Sequence, residues 1–298
     1  MKNTYNIRFI TVITFIIVVI ISGCAGNSYQ HKTLAKTGYY SIDFETHKVG
    51  ETYDRNLLYQ DWGNRLKSVN GIDENRVQIV TDGTSKVLNV IYPTGSCGPT
   101  DNAGCGKGGG AQWLVPLNFN YSFDKLTLSY RIKFFDNFDF VLGGKLPGLT
   151  GAPDALSMPP TGGHRPSDCD GFSARMMWRK DGAAVLYLYY AGQSGNYADD
   201  FDFKDANGKN IFFKSGQWYT IKQKIIMNTP DKSDGIIEIW LNNSNVLHKE
   251  RLRFRGVTCP NFGINQFYFS TFFGGNDASW APKKEEHILF DDFIISIE

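Results

Sequence analysis

The chain has 298 residues, of which 42% are hydrophobic and 14% aromatic, and its formal net charge is +1. A near-neutral chain without a basic run of five or more residues does not have the composition of a nucleic-acid-binding protein. If it binds a polyanion, it must gather its cations locally, since the net charge of the molecule cannot steer such a ligand.

The N-terminal segment predicts export. Lys2 and Arg8 supply positive charge, and a mostly apolar run over residues 9–21 is followed by Cys24 in the sequence Ile-Ser-Gly-Cys. The run is short for a span of the bilayer and has the length of a signal-peptide core. Ile-Ser-Gly-Cys resembles the bacterial lipobox, in which cleavage before the cysteine leaves that cysteine lipidated. An N-terminal membrane anchor that stays uncleaved is the alternative.

The expected organisation is a lipoprotein signal peptide at 1–23, a lipidated Cys24 with a polar tether at 24–37, and one domain at 38–298. Ala25, rather than aspartate, follows the cysteine, which favours the outer membrane of a bacterial cell envelope. Removal of the signal peptide takes away two basic residues and no acidic one, so the mature chain stays near neutral. We expect a monomer that contacts the membrane only through its lipid, although two small domains would also fit the length.

Four further cysteines, Cys97, Cys105, Cys169 and Cys259, predict two disulfides, because an even number in an exported chain favours pairing. Cys97 and Cys105 flank a glycine-rich loop, so a local bridge between them is the easiest closure. Cys169 and Cys259 would then form a longer-range bridge. A zinc site is the alternative, but the spacings do not match a zinc-ligand pattern.

Most of the remaining chain has the alternating pattern of β-strands. In residues 126–134, apolar side chains alternate with polar ones, as in a strand with one face in the core. One short helix is expected at 54–62. The expected strands are 39–45, 87–92, 112–116, 126–135, 138–142, 172–179, 185–190, 218–228, 236–241, 245–251, 265–273 and 288–297.

This many alternating strands requires two stacked sheets or a closed barrel. We expect an all-β protein, a single-domain jelly roll formed by a two-sheet antiparallel sandwich. Two long loops, at 148–169 and 191–212, are rich in Gly, Pro, Asn and Asp. Loops of this length on a compact domain are usually functional or mobile, so these two are expected to form walls or lids over a groove.

Polar side chains share one face of two neighbouring strands. Side chains alternate between the faces of a strand, so Ser173 and Arg175 point the same way, as do Tyr187 and Tyr189. Lys145 precedes them in a Gly- and Pro-containing segment, near a strand end. A lysine, a Ser/Arg pair and a Tyr/Tyr pair suit removal of a proton beside a carboxylate. The pattern indicates an enzyme that acts on an acidic polymer.

The same segments resemble polysaccharide lyase family 14, which comprises alginate and glucuronan-type lyases with a β-jelly roll. The resemblance covers most of residues 38–298, including Phe-Phe-Gly-Gly at 272–275 and Phe-Asp-Asp-Phe at 290–293. By this resemblance, Lys145 matches the lysine that is essential for catalysis, and Ser173, Arg175, Tyr187 and Tyr189 match the other active-site positions. The motifs that carry it are Gly-Gly-Lys-Leu-Pro-Gly-Leu at 143–149, Ser173-Ala-Arg175, Tyr187-Leu-Tyr189 and Tyr-Ala-Gly-Gln at 190–193.

β-Elimination from a polyuronate has three chemical requirements: a cation or donor neutralises the C5 carboxylate, a base removes the C5 proton, and an acid protonates the leaving oxygen. Tyrosine can fill both proton roles if nearby cations, here Arg175 and Lys145, lower its pKa. The substrates implied are alginate, particularly its mannuronate-rich regions, and β-glucuronan. The choice between them and between endo and exo action stays open. Neither a metal nor another cofactor is expected, because Lys and Arg can neutralise the carboxylate.

Further residues are candidates for substrate binding. His164 lies in the first long loop, and Arg179 shares the predicted face of Arg175. Arg131 and Lys133 alternate with apolar neighbours and are expected to extend a basic groove. The alternatives are an ordinary loop histidine, an ion pair between strands for Arg179, and a solvated outer face for Arg131 and Lys133.

Two other functions compete with the lyase. A non-catalytic, lipid-anchored protein that binds acidic glycans could use the tyrosines for stacking and the cations for carboxylates. A glycoside hydrolase is less favoured, since it needs two carboxylates that converge across a cleft. The pairs Asp199-Asp200 and Asp291-Asp292 are adjacent in sequence and would face opposite sides of a strand.

Overall fold

The computed structural model describes residues 38–102 and 104–297. The expected signal peptide, the lipidation site at Cys24 and the tether lie outside these residues. In the part of the chain that is described, no helix has the length and apolar character needed to cross a membrane.

Two antiparallel sheets form the domain, and the predicted all-β jelly-roll sandwich is confirmed. The first has eight strands, in the order β13-β12-β11-β6-β15-β4-β3, with β1 also paired to β15. Its strands are β1 (Tyr39–Ile42), β3 (Val77–Asp82), β4 (Ser85–Tyr92), β6 (Lys125–Phe134), β11 (Trp218–Ile226), β12 (Gly235–Leu241), β13 (Ser244–Leu252) and β15 (Glu286–Ser296).

The second sheet has seven strands, in the order β10-β9-β8-β7-β14-β5-β2. Every pairing between its neighbouring strands is antiparallel. Its strands are β2 (Lys67–Asn70), β5 (Ala111–Pro116), β7 (Gly143–Gly151), β8 (Phe172–Arg179), β9 (Ala184–Tyr189), β10 (Asp199–Asp202) and β14 (Gln266–Phe273).

The core lies between the sheets and is rich in aromatic rings. The ring of Trp113 on β5 stacks on that of Phe269 on β14, with centroids 3.8 Å apart and an angle of 3° between the planes. Helix α1 (Arg55–Trp62) adds Trp62, whose ring stacks on Phe267 at 5.2 Å. Burial of each such ring contributes about 1.5–3 kcal/mol to the stability of the fold.

The predicted helix at 54–62 is confirmed, and its first turn shows why it begins there. Asp54 has an extended backbone, and its side chain accepts hydrogen bonds from the backbone N–H groups of Asn56 and Leu57. These two donors would otherwise have no partner inside the helix, so an aspartate at this position stabilises the helix start.

Residues 138–142 were predicted as a strand, and the prediction is wrong: residues 138–140 have no regular structure and residues 141–142 form a turn. Val141 has a positive φ of 48°, which a continuous strand does not allow. Phe138 is instead buried in the core, and Trp178 donates a hydrogen bond from Nε1 to the carbonyl of Phe140 at 3.1 Å. The alternating aromatics of this segment therefore fill one end of the sandwich.

Strand β7 was not among the predicted strands, and it carries Lys145 in its interior. Pro147 has no backbone N–H, and the pairing with β8 shifts register between Leu146 and Gly148. At Gly148, a Cβ would lie 2.1 Å from the carbonyl oxygen of Ala174, so only glycine allows this close approach. The glycines and the proline, residues that are typical of turns, therefore let β7 pass through the centre of the sheet.

Both predicted disulfides are present. Cys97 pairs with Cys105 and Cys169 with Cys259, with Cα atoms 5.5 and 5.7 Å apart, respectively. The first bridge holds a loop beside the end of β14, where Gly98 donates its N–H to the carbonyl of Phe273 at 2.9 Å.

Candidate active site

A groove of about 440 Å³ opens on the outer face of the seven-stranded sheet. It brings together five of the residues predicted from sequence, and Ser173, the remaining catalytic candidate, lies beside it. The five are contributed by three neighbouring strands: Lys145 from β7, Arg175 and Arg179 from β8, and Tyr187 and Tyr189 from β9.

Strand register places these side chains side by side. Lys145 is opposite Met177 on β8, and Arg175 is opposite Tyr187 on β9. Since side chains two residues apart on one strand share a face, the alternation predicted from the sequence is retained in the sheet. The opposite face of β8 packs into the core, so the polar side chains are left on the outer face.

Arg175 is a buried cation that is held by hydroxyl groups. Its side chain is only 1% exposed. Nε donates to Ser173 Oγ at 3.1 Å, Nη1 to Ser270 Oγ at 3.0 Å and Nη2 to Thr161 Oγ1 at 3.1 Å. None of the side chains described forms an ion pair with it. A guanidinium has five N–H groups, so two of them remain available to an anion.

Lys145 is half-buried among weak hydrogen-bond acceptors. Its Nζ lies 2.8 Å from the Met177 sulfur and 3.8 Å from the centroid of the Tyr187 ring. Burial lowers the pKa of this amine well below the usual value for lysine, and the positive charges of Arg175 and Arg179 lower it further. The site therefore disfavours the charged form of the amine, and this is the direction of change that a general base requires.

Tyr187 and Tyr189 lie next to each other and are both buried. Their hydroxyl oxygens are 3.4 Å apart, and the backbone N–H of Gly163 donates to the Tyr189 hydroxyl at 3.0 Å. Burial raises the pKa of Tyr187, an effect that outweighs the lowering by Arg175 and Arg179. The expectation of a lowered tyrosine pKa is thus wrong for Tyr187, whose hydroxyl group stays protonated near neutral pH.

Arg179 lines the groove, but its charge is compensated. Its Nε and Nη2 each donate to a carboxylate oxygen of Asp200 on β10, both at 2.8 Å. The alternative considered from sequence, an ion pair between strands, is therefore what the structure contains. Arg179 also lies 5.3 Å from the centroid of the Tyr187 ring, where it supports the wall of the groove.

Arg131 and Lys133 do not extend the groove, and the prediction that they do is wrong. Both lie on β6 of the other sheet, on its outer side, and are paired with acids. Arg131 forms an ion pair with Asp292 at 3.1 Å, and Lys133 forms one with Asp82 at 2.9 Å. Their strand alternates as predicted, but its polar face is the solvated face of the opposite sheet.

His164 is near the groove without lining it. Its side chain is 63% exposed and lies 3.8 Å from the carboxylate of Asp170, in a neighbouring depression. The residues just before it do reach the site, since Thr161 binds Arg175 and Gly163 binds Tyr189. The loop that contains His164 therefore closes one side of the groove, as expected for the first long loop.

Aromatic side chains in the groove were not predicted from the sequence. Tyr197, which is 63% exposed, and Trp280 both line it. The loop of Tyr197 is braced by the buried Gln193, whose side-chain amide donates to the carbonyls of residues 195–197 at 2.8–3.3 Å. The Tyr-Ala-Gly-Gln motif was the available signal, because a glutamine buried in a loop indicates that the loop is held in one conformation.

In the described parts of the chain, no three His, Cys, Asp or Glu side chains come together as a set that could hold a metal ion.

Comparisons with known proteins agree with this geometry. The family model described as polysaccharide lyase 14 matches residues 80–293. A search of the curated proteins finds no match. Among solved structures, the alginate lyase Aly36B is 24% identical with a TM-score of 0.71, covering 88% of this chain and 98% of its own.

Two further solved structures are similar. The marine PL-14 alginate lyase from Aplysia kurodai is 27% identical with a TM-score of 0.68, covering 87% of this chain and 98% of its own. The alginate lyase vAL-1 from Chlorella virus is 22% identical with a TM-score of 0.63, covering 84% of this chain and 100% of its own. The chain belongs to polysaccharide lyase family 14 and is a polysaccharide lyase.

Proposed function

We propose that the chain cleaves a polyuronate by β-elimination that leaves a 4,5-unsaturated uronate. Alginate, particularly its mannuronate-rich regions, is the first candidate substrate, and β-glucuronan is the second. One observation carries the proposal. Arg175, a buried cation without an acidic partner among the described residues, lies in the same groove as the amine of Lys145, whose pKa is lowered by burial and by the two arginines. Such a pair fits a substrate that offers a carboxylate next to an acidic C–H.

The carboxylate of the substrate binds to the two N–H groups of Arg175 that remain available. A buried cation favours an anion strongly, because there is little water to compensate its charge. Neutralisation of the carboxylate stabilises the negative charge that develops when the C5 proton leaves. Ser173, Ser270 and Thr161 hold the guanidinium in one orientation, so Ser173 acts as a positioning residue.

Lys145 then takes the C5 proton on its uncharged amine. The electrons of the C5–H bond form the double bond between C4 and C5, and the C4–O bond breaks. Tyr187, whose raised pKa keeps it protonated before the reaction, donates its phenolic proton to the leaving oxygen. A proton transfer from the ammonium of Lys145 to the phenolate of Tyr187 then returns both groups to their starting forms. The hydroxyl of Tyr189 lies 3.4 Å from that of Tyr187.

The solved relatives support alginate as the first substrate to test. The relative from Aplysia kurodai is an alginate lyase. Aly36B has been solved with an alginate tetrasaccharide as a variant in which a lysine and a tyrosine are replaced by alanine. These two positions are separated by as many residues as Lys145 and Tyr187 in this chain.

The test is incubation of the domain, residues 38–298, with mannuronate-rich alginate, guluronate-rich alginate and β-glucuronan. Formation of the unsaturated product is followed by its ultraviolet absorbance. We expect a rise with wild type and none with Lys145→Ala. Saturable binding of a polyuronate without a rise in absorbance would support the non-catalytic glycan-binding protein instead.

The location at the cell envelope is a proposal that rests on the sequence alone. The Ile-Ser-Gly-Cys sequence would place the lipidated Cys24 in the membrane and leave residues 25–37 as a tether. In fractionated cells, the full-length chain should partition with membranes, and Cys24→Ala should lose this behaviour. Equal solubility of both proteins would contradict lipidation.

A further inference from the structure

The two long loops meet beside the active site. The ring of Tyr197 in the second loop lies against Gly163 in the first, since a Cβ at Gly163 would be 3.2 Å from Cε1 of that ring. Gly163 has a φ of 88°, which favours glycine, and the lack of a side chain lets the loops touch. Its N–H also donates to the hydroxyl of Tyr189, the last residue of β9, at 3.0 Å. The contact therefore joins the two loops at one end of β9.

The first loop is fixed in place by buried polar side chains. Gln266 on β14 is fully buried and donates from Nε2 to two carbonyls of the loop, at 3.2 and 2.6 Å. Asn265 accepts the N–H of Ala152 at 3.1 Å and donates to its carbonyl at 2.8 Å. The disulfide between Cys169 and Cys259 holds the far end of the loop. Movement of the loop would leave these buried groups without partners, so it forms a fixed wall rather than a lid.

Three walls enclose the groove. The first loop forms a wall at the end where β8 begins, and the second loop forms one on the side of β10. The segment after β14 forms the third, on the side away from β10. There the indole of Trp280 packs against Gly275 so closely that a Cβ would lie 2.1 Å from it. The groove-lining residues of the two loops are Thr161, Gly162, Tyr197 and Ala198.

The proposed carboxylate site lies against the first of these walls. Thr161 accepts a hydrogen bond from Nη2 of Arg175 at 3.1 Å. Arg179, two outward positions further along β8, lies on the fourth side of the groove, where its side chain is 27% exposed. A chain with a uronate on Arg175 can therefore continue past Arg179 but not through the wall. The groove volume of about 440 Å³ is in the range of small-molecule sites, so it accommodates a short end of a polymer.

We propose that the enzyme acts from the end of the chain: one terminus of the polyuronate enters the groove as far as the wall, and a short oligouronate of fixed length is released. The proposal rests on the proposed function, since the bond is broken by the same elimination. An internal stretch of a polymer must leave a site on two sides, whereas a chain end needs only one opening. The contact between Gly163 and Tyr197 closes one of the two exits that internal cleavage requires.

The first test follows the viscosity of alginate and the absorbance of the unsaturated product together, with wild-type protein. We expect the viscosity to fall slowly while the absorbance rises, and a short oligouronate of one length to dominate the products from the first time point. At equal uronate concentration, the initial rate should rise in proportion to the number of chain ends as the alginate is shortened. A steep early fall in viscosity, with products of many lengths, would overturn the proposal.

The second test removes the contact between the loops. Tyr197→Ala should release longer products and lower the viscosity further at the same absorbance, whereas Tyr197→Phe, which retains the ring, should restore the short product. Tyr39→Ala, at an exposed tyrosine of the other sheet, is the control and should give the wild-type products. An unchanged product length in Tyr197→Ala would show that this contact does not end the groove. A wild-type protein that produces no absorbance from any polyuronate would contradict the proposed function instead.

Discussion

The Nζ atom of Lys145 lies 3.8 Å from the centroid of the Tyr187 ring, so the proposed base rests on the face of the proposed acid. This contact is weak while the amine is uncharged. It becomes a cation–π interaction once the amine has taken the substrate proton. An interaction that strengthens along the reaction lowers the barrier rather than only tightening substrate binding. The ring of Tyr187 therefore assists proton removal, and its hydroxyl assists departure of the leaving group.

Replacement of Lys145 by methionine should abolish activity and stabilise the fold. We expect kcat to fall by about 10³-fold or more, because the base is lost. The native state disfavours the lysine charge that the unfolded chain carries at neutral pH. In wild type, the free energy of unfolding should thus rise with pH between the lowered pKa and the usual one.

In Lys145→Met this pH dependence should disappear, and the protein should be more stable than wild type at neutral pH. Urea unfolding at several pH values and steady-state kinetics are the measurements. Lys180→Met, a change at an exposed lysine, is the control and should alter neither quantity. A destabilised Lys145→Met would contradict the assignment of a strained, uncharged amine.

Removal of the hydroxyl group from each tyrosine in turn should distinguish the roles of Tyr187 and Tyr189. Tyr187→Phe should lower kcat by about 10²–10⁴-fold, the usual loss for a proton-transfer group. The ring is retained, so the contact with Lys145 persists and KM should change little. Tyr189→Phe should have a smaller effect, because Tyr189 is not the proposed acid and its hydroxyl accepts the backbone N–H of Gly163. Near-wild-type turnover in both variants would rule out tyrosine as the acid.

Arg175→Lys should lower kcat/KM, although the substitution retains the positive charge. An ammonium cannot reproduce the fork that contacts Ser173, Ser270 and Thr161 while it also offers two donors to a carboxylate. We expect a higher KM and a lower kcat on uronate oligosaccharides. Arg253→Lys is the control, since that arginine pairs with Asp168 and Asp231 outside the groove. Equal kinetics in the two variants would exclude Arg175 as the carboxylate site.

Alternation along β8 and β9 made the central residues of the site predictable. A period of two determines which side chains share a face, and it grouped Ser173 with Arg175 and Tyr187 with Tyr189. It does not determine which sheet a strand joins. Arg131 alternates equally well, but β6 belongs to the other sheet, and its polar face points away from the groove.

The surroundings of Lys145 could not be predicted from local pattern. Glycine and proline usually indicate a turn, and only contacts with β8 and β14 reveal why they are tolerated within β7. The direction in which each pKa shifts depends on burial by residues that are distant in the sequence. The sequence offered cations near the tyrosines, but burial outweighs their effect at Tyr187.

Tyr197 should bind substrate through its ring. An exposed aromatic side chain at a sugar-binding groove can pack against the apolar face of a pyranose, and its loop is held by Gln193. Tyr197→Ala should raise KM for long oligosaccharides about tenfold and leave kcat within about twofold, whereas Tyr197→Phe should retain wild-type KM. The control is Tyr39→Ala, at an exposed tyrosine on β1 of the other sheet. An unchanged KM in Tyr197→Ala would contradict stacking.

Asp291 is a buried carboxyl group on the sheet opposite the groove. It is 2% exposed, and Arg131 approaches it at 3.5 Å while being paired more closely with Asp292. Burial, with the negative charge of Asp292, raises the pKa of Asp291 to about 7. The native state therefore holds a proton that the unfolded chain releases near the usual pKa of aspartate.

The stability that this proton provides is present at acidic pH and is lost as the pH rises through about 7. Asp291→Asn keeps the shape of the side chain but cannot ionise, so it should remove this loss. We expect the variant to match wild type at about pH 3, below the usual pKa of aspartate, and to exceed it by about 1–3 kcal/mol at about pH 8. Asp181→Asn is the control, at an exposed aspartate in the turn between β8 and β9 of the other sheet. Urea denaturation at both pH values measures the difference, and a variant that is less stable than wild type at the higher pH would show that the ion pair with Arg131 outweighs the cost of burial.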